Sequence, residues 1–260
     1  MKNNKKTAVL IAAVVSLTCT ILFVACNKEN TAMTTLNNFS DSPKTEIINP
    51  KNPNNPLDSI GTKHNQYLND VLTYINCNYI NPNDLTSDEV LDIYQNYLLE
   101  NGYTETEIEL AFQTITDGYN LSNNVNQYIN SLQDSISIIP NKSYTNYKEL
   151  VIRYEKRIME DSSIDSIEEG TLLAYTSVLR HSMYFWYEEQ SKELPKWLKI
   201  AGADAAGAAT GFAGGASLGW GGAIVGGIIA GAGKSIEKAE KLNELEKPTT
   251  DSTSTGLSQG

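Results

Sequence analysis

The sequence predicts an all-α protein: an irregular bundle of about six helices, then a glycine-rich helical hairpin, with a disordered N-terminal tether and a disordered C-terminal tail. Three observations carry that expectation. Apolar residues from Leu57 to Tyr187 recur three or four positions apart, the spacing of one helix face, and no alternating run of strand length appears. Capping residues and Gly or Pro stops punctuate the runs where helices begin and end. Twelve of the 18 glycines crowd between Gly202 and Gly233, most of them four residues apart.

Residues 1–25 come before the fold. Met1 to Lys6 is basic and leads into the uncharged run TAVLIAAVVSLTCTILFVA, the order of parts in an export signal. The run is also about long enough to span a bilayer, so a permanent anchor is its alternative reading. Phe23-Val24-Ala25-Cys26 resembles the lipobox of bacterial lipoproteins, in which a small residue precedes a Cys that is diacylated and becomes the mature N-terminus. Phe23 departs from the commoner Leu there. The resemblance implies lipidation at Cys26. Residues 26–56, rich in Asn, Thr, Ser and Pro, hold few large apolar side chains and read as a flexible tether.

The helical body is expected over 57–199. Ile60, His64, Tyr67, Leu68, Val71, Leu72, Ile75 and Tyr79 mark a first helix ending before Asn81-Pro82. Thr86 with Glu89 has capping-box spacing and opens a second, which stops at Asn101-Gly102-Tyr103. Thr104 with Glu107 repeats the grammar and Asp117-Gly118-Tyr119 closes a third. Val125, Tyr128, Ile129 and Leu132 give a fourth, broken before Pro140, and Tyr147, Leu150, Val151, Tyr154 and Ile158 a fifth. A long sixth begins near Asp165 and ends before Pro195. GTKHNQYLND at Gly61 to Asp70, SVLRHSMYFWYEE at Ser177 to Glu189 and the Gly-rich segment after them resemble an uncharacterised family of lipoproteins of the Bacteroidota with the same order of parts. Lys28-Glu29 resembles, incompletely, their signal for the outer face of the outer membrane. The resemblance implies an architecture and an address, and no chemistry.

The stretch Ala205 to Gly233 is 29 residues without a charge. Gly207, Gly211, Gly215, Gly219, Ala223, Gly227 and Gly231 fall on one four-residue register, a glycine zipper whose groove lets two helix backbones approach closely. As one helix it is roughly 44 Å, too long for a hydrocarbon core of about 30 Å, so two arms hinged near Gly219 to Gly222 are expected. Three readings stay open for residues 200–233: a membrane-active hairpin, flanked by Trp197 and lysines suited to an interface; a structural hairpin folded on the body; and a disordered tract, which the regular register opposes. The stretch also resembles, in composition, the Gly-rich core of two-peptide bacteriocins. A short helix over 234–246 and a polar tail over 247–260 complete the chain.

Composition narrows the function. Its 260 residues leave no room for a large multidomain enzyme. Without Lys2, Lys5 and Lys6 the mature chain has 17 basic against 31 acidic residues, a net of −14, which disfavours nucleic acid and anionic headgroups as partners. With Cys19 in the signal and Cys26 lipidated, Cys77 reads as a lone thiol, a small core residue on a helix face. His64 and His181 lack a second His or Cys at metal-ligand spacing, so no metal or cofactor is expected. His64-Asn65 and Arg180-His181 are candidates for a small polar site if the two helices meet. Asn81 to Glu89 lacks the Gly and spacing of a calcium hand, and no nucleophile elbow or phosphate loop is present. The expectation is a non-enzymatic, lipid-anchored envelope protein of a Gram-negative outer membrane, in contact with membrane or partner through the hairpin and capable of self-association. A toxin-like inserting factor and an enzyme using His64 or His181 are the alternatives.

Overall fold

The structure, a computed structural model, describes residues 49–79, 85–117, 119–140, 143–189 and 194–244, and these are all-α. The helices are α1 (Asp58–Asn78), α2 (Ser87–Glu100), α3 (Glu105–Thr116), α4 (Asn123–Ser137), α5 (Tyr144–Glu160) and α6 (Ser166–Glu189). The hairpin follows as α7 (Leu194–Gly215), a 3₁₀ turn over Ala216–Leu218 and α8 (Gly219–Glu244). Cys26, the signal and the tail beyond 244 lie outside the described residues.

Local chemistry sets the ends. Thr86 and Glu89 form a capping box at the start of α2, and Thr104 and Glu107 form another at α3, each Glu reaching back to the Thr backbone N–H. Ser122 and Ser143 cap α4 and α5, and Asp165 accepts from the backbone N–H of Ile167 and Glu168 at 2.8 Å to open α6. Gly102 sits at φ +87°, where a side chain would be strained, and the Tyr103 N–H donates to Leu98 O at 3.2 Å to close α2. Gly118 lies outside the described residues, so the matching stop after α3 is not described.

The centre of the fold is α6. Gly170 to Met183 is buried without interruption, which explains why this helix has no polar face: every side meets a neighbour. α1 and α5 lie against it on one side and α7 on another, while α8 packs along α7 and touches α1, α2 and α3. The tyrosines bind helices together at their polar tips. Tyr94 of α2 donates to Ile229 O of α8 at 3.3 Å, Tyr97 to Asp70 of α1 at 2.8 Å and Tyr144 of α5 to Arg180 O of α6 at 3.2 Å.

Four sequence expectations change. Residues 49–56, expected in the tether, belong to the fold, because Asn52, Asn55 and Leu57 are buried and residues 49–57 form a strap on the body. The helix expected over 234–246 is not separate, since α8 runs unbroken through it to Glu244. Each arm is accordingly longer than a half-segment: α7 has 22 residues and α8 has 26, about 33 and 39 Å. Cys77 is exposed in the last turn of α1, not a small core residue.

Candidate functional site

The four polar residues singled out on α1 and α6 do meet. A close approach at Gly61 makes the meeting possible: a Cβ there would stand 2.6 Å from the His181 ring and 2.7 Å from Ser177 O, and the Gly61 N–H donates to Ser177 Oγ at 3.1 Å. One turn on, Asn65 Nδ2 donates to His181 O at 2.8 Å, which fixes the amide so that Asn65 Oδ1 accepts from His64 Nδ1 at 2.9 Å. His64 Nδ1 is therefore the donor, and Nε2 turns away from Asn65.

Two networks grow from this contact. In the first, the fully buried Arg180 donates Nη2 to Asp58 Oδ1 and to Glu155 Oε1, both at 2.8 Å, and Nη1 to Pro50 O. Asn52 Nδ2 donates to Glu155 Oε2 at 2.6 Å, and Asn55 Nδ2 to Glu155 Oε1 at 2.7 Å and Leu173 O at 3.1 Å. His181 Nε2 lies 3.1 Å from Asp58 Oδ1. Burial pushes the Asp58 carboxyl up, but hydrogen bonds from His181 and Arg180 and the guanidinium charge outweigh it and hold the group at about 2. Burial pulls the His181 ring below the usual imidazole range, against the attraction of Asp58.

The second network centres on Asp204, which the sequence shows only as a lone charge entering an apolar stretch. Its carboxyl accepts from Ser182 Oγ and from Trp186 Nε1, the latter at 3.3 Å, and lies 3.7 Å from His64 Nε2. Ser235 of α8 stands near the same carboxyl without a hydrogen bond of its own among the described residues. Burial raises the Asp204 carboxyl, with His64 and the hydrogen bonds opposing. The direction follows from the cost of holding a carboxylate charge in a fully buried place.

Chemically these groups can share protons, but most of them are shut away from solvent, with Asp58 the partly exposed member. His64, Glu155, Arg180, Ser182 and Asp204 are all wholly buried. A cavity of about 370 Å³ lies between α4, α6, α7 and α8 and another of about 600 Å³ along α4, and neither is lined by a histidine or by Asp204. Among the described residues no group of three His, Cys, Asp or Glu is placed to hold a metal ion.

The hairpin reads differently from its register. A Cβ built at Gly207, Gly211 or Gly215 would meet Ala230 O at 2.5 Å, Gly226 O at 2.2 Å and Gly222 O at 2.2 Å, so α7 presents the expected glycine face to the backbone of α8. On α8 the closest line is Gly222, Gly226 and Ala230, one residue before the predicted Ala223, Gly227 and Gly231. Gly227 faces Ala208 O and Phe212 at 3.3 and 3.4 Å, while Gly231 faces the His64 ring at 3.1 Å and Asp204 O at 3.3 Å. Ala223 is wholly buried. Gly219 is no packing position: it makes the turn at φ +82° with nothing near a Cβ, and the hinge spans Gly215 to Gly219, not Gly219 to Gly222. The antiparallel return sets the offset, because the turn shifts the phase of the second arm.

No family model matches the chain, and neither a curated protein nor a solved structure does.

The sequence missed Asn52, Asn55, Asp58, Glu155 and Asp204. Asn52 and Asn55 were hidden by a composition that reads as tether, although Asn-x-x-Asn ahead of Leu57 is a turn signal: Asn52 and Asn55 each accept from a backbone N–H two residues on, at 3.2 and 2.8 Å.

Proposed function

We propose that this is a lipid-anchored cell-envelope protein that acts by contact and not by catalysis, held on an outer membrane through diacylated Cys26, with the tip of its hairpin as the part that meets the lipid surface. The observation that carries this reading is the way the hairpin is used. Its glycine faces are closed on each other and its flanks on the body, so the zipper is internal glue, and what stays outside is the turn. There Leu218 and Trp220 remain 49% and 48% exposed. A Trp beside a Leu at an exposed turn suits the boundary between headgroups and acyl chains. A chain of 23 residues with the composition of 26–48 would reach about 27 Å if flexible, which would keep an anchored body within touching distance of the bilayer. The likeness of the Gly61–Asp70 and Ser177–Glu189 segments to Bacteroidota lipoproteins supports the address. His64 is wholly buried and His181 nearly so, which favours a binding role over an enzyme.

Mass measurement of the mature N-terminal peptide tests the anchor, since an acylated Cys26 carries its sulfur as a thioether and cannot enter a disulfide with Cys77. Lipid mass at Cys26, with Cys26→Ser released from membranes, is the expected result; an unmodified Cys26 overturns it. For the tip, Trp220→Ala with Leu218→Ser should lower the binding of the unacylated chain to neutral phosphatidylcholine vesicles, and unchanged binding removes the tip from the account.

A toxin-like inserting factor is the second reading. Leu198–Ile236 is long and apolar enough to cross a membrane, with only half of its most apolar part buried in the fold. Dye release from liposomes supports insertion; its absence together with vesicle binding supports contact alone.

A further inference from the structure

The groove of about 370 Å³ between α4, α6, α7 and α8 combines apolar walls with two lysines. Its walls are Ile136 of α4, Tyr175 and Leu179 of α6 and Leu198 of α7. Its one inner phenol is already engaged, since Tyr175 Oη accepts from Gln133 at 3.3 Å. Gly202 lies on the α7 side, and a Cβ there would meet nothing within 4 Å, so the space beside it is open. At the rim stand two ammonium groups, Lys199 of α7 and Lys238 of α8, and neither is in an ion pair among the described residues. An apolar slot between two unpaired cations, on a chain whose net charge is −11, complements one kind of molecule.

We propose that this groove binds a single-chain fatty acid, with the acyl chain along Ile136, Leu179 and Leu198 and the carboxylate between Lys199 and Lys238. The volume is at the small end of ligand sites, which suits one chain and not the two of a phospholipid. The C-terminal end of the chain is a poor occupant: residues 245–260 contain only two large apolar side chains, Leu245 and Leu257, twelve positions apart. Apolar contact supplies the affinity and the paired lysines select the headgroup, since two ammonium groups left without a counter-charge disfavour an uncharged alcohol. The inference does not rest on lipidation at Cys26.

Calorimetric titration of the full mature chain carrying Cys26→Ser tests it, with decanoate, dodecanoate, tetradecanoate and dodecanol as probes. One site is expected, tightening about fourfold for each added methylene, with dodecanol at least tenfold weaker than dodecanoate. Lys199→Gln with Lys238→Gln should bring dodecanoate down to the affinity of dodecanol and leave dodecanol unchanged. Gly202→Leu fills the open space with a better helix former, so it should abolish binding of both probes while the melting temperature holds or rises. Affinity that ignores chain length, equal binding of acid and alcohol, or undiminished binding in a folded Gly202→Leu chain would each overturn the proposal.

Discussion

The two buried networks share a stretch of α6, Arg180 and His181 serving one and Ser182 and Trp186 the other, yet they satisfy their polar atoms to different degrees. Around Arg180 a cation faces two carboxylates, two asparagines complete the second carboxylate, and only Arg180 Nε lacks a partner. Around Asp204 three atoms lack one among the described residues: His64 Nε2, Asp204 Oδ1 and Ser235 Oγ. The first network is held by its own charge-assisted bonds. The second is held by the packing around it, because the small residues of α7 and α8 bring Asp204 deep against α1 and α6 whether or not its carboxyl is well served. Polar burial therefore stabilises in one place and is tolerated in the other.

The largest effect should come from breaking the stronger member. Arg180→Met leaves Asp58 and Glu155 without their cation and should cost about 3–5 kcal/mol in denaturant unfolding of the full chain. A cost below that of Asp204→Asn would erase the distinction. Next comes the glycine contact that holds the weaker network in place. Gly211→Leu places its Cβ 2.2 Å from Gly226 O, a backbone atom that cannot swing aside, and should cost about 1–3 kcal/mol or more. Gly215→Ala collides in the same way with Gly222 O at 2.2 Å, so even a methyl is poorly accommodated there, contrary to what register alone suggests. Gly202→Ala, on the same helix but facing open space, should instead stabilise by roughly 0.5–1 kcal/mol.

Acid should separate the networks by sign. The folded-state pKa of His181 is lowered from 6.5, so its contribution is complete above pH 6.5 and is lost as pH falls below it. Asp58 adds a second loss between its ordinary 3.8 and about 2. Asp204, being raised, works the other way: its contribution is complete below 3.8 and is lost as pH rises through the folded value. A stability profile measured from pH 8 to 4 should fall on the acid side, and His181→Gln should flatten that fall. The smallest effect is Asp204→Asn at neutral pH, expected within about 1 kcal/mol because the amide keeps the shape of the carboxyl and removes a buried group that is only partly served by hydrogen bonds. A loss as large as that of Arg180→Met would show the second network to be as strong as the first.

The helix boundaries were legible in the sequence because they are local: Thr86 with Glu89, Thr104 with Glu107 and Gly102 each act within a turn of themselves. The meeting of His64 and Asn65 with Arg180 and His181 was legible as pairs of polar residues on apolar faces. Their partners were not. Asp58 and Glu155 look like any solvated acid at a helix surface, and Asn52 and Asn55 sit in a stretch whose composition argues against order. Only the fold reveals that Glu155 is wholly buried. The phase of the zipper on α8 was lost for a similar reason, since a turn three residues long with one left-handed glycine sets which face returns.

The strap over residues 49–57 also has a mechanical meaning. Its bonds to Arg180 and Glu155 join it to α6 and to α5, across a separation of 100 to 130 residues in sequence. A pull on the chain upstream of Asn49 therefore does not peel α1 from its end like tape. It is passed to a set of hydrogen bonds at the centre of the bundle, which must be broken together before the first helix feels any tension.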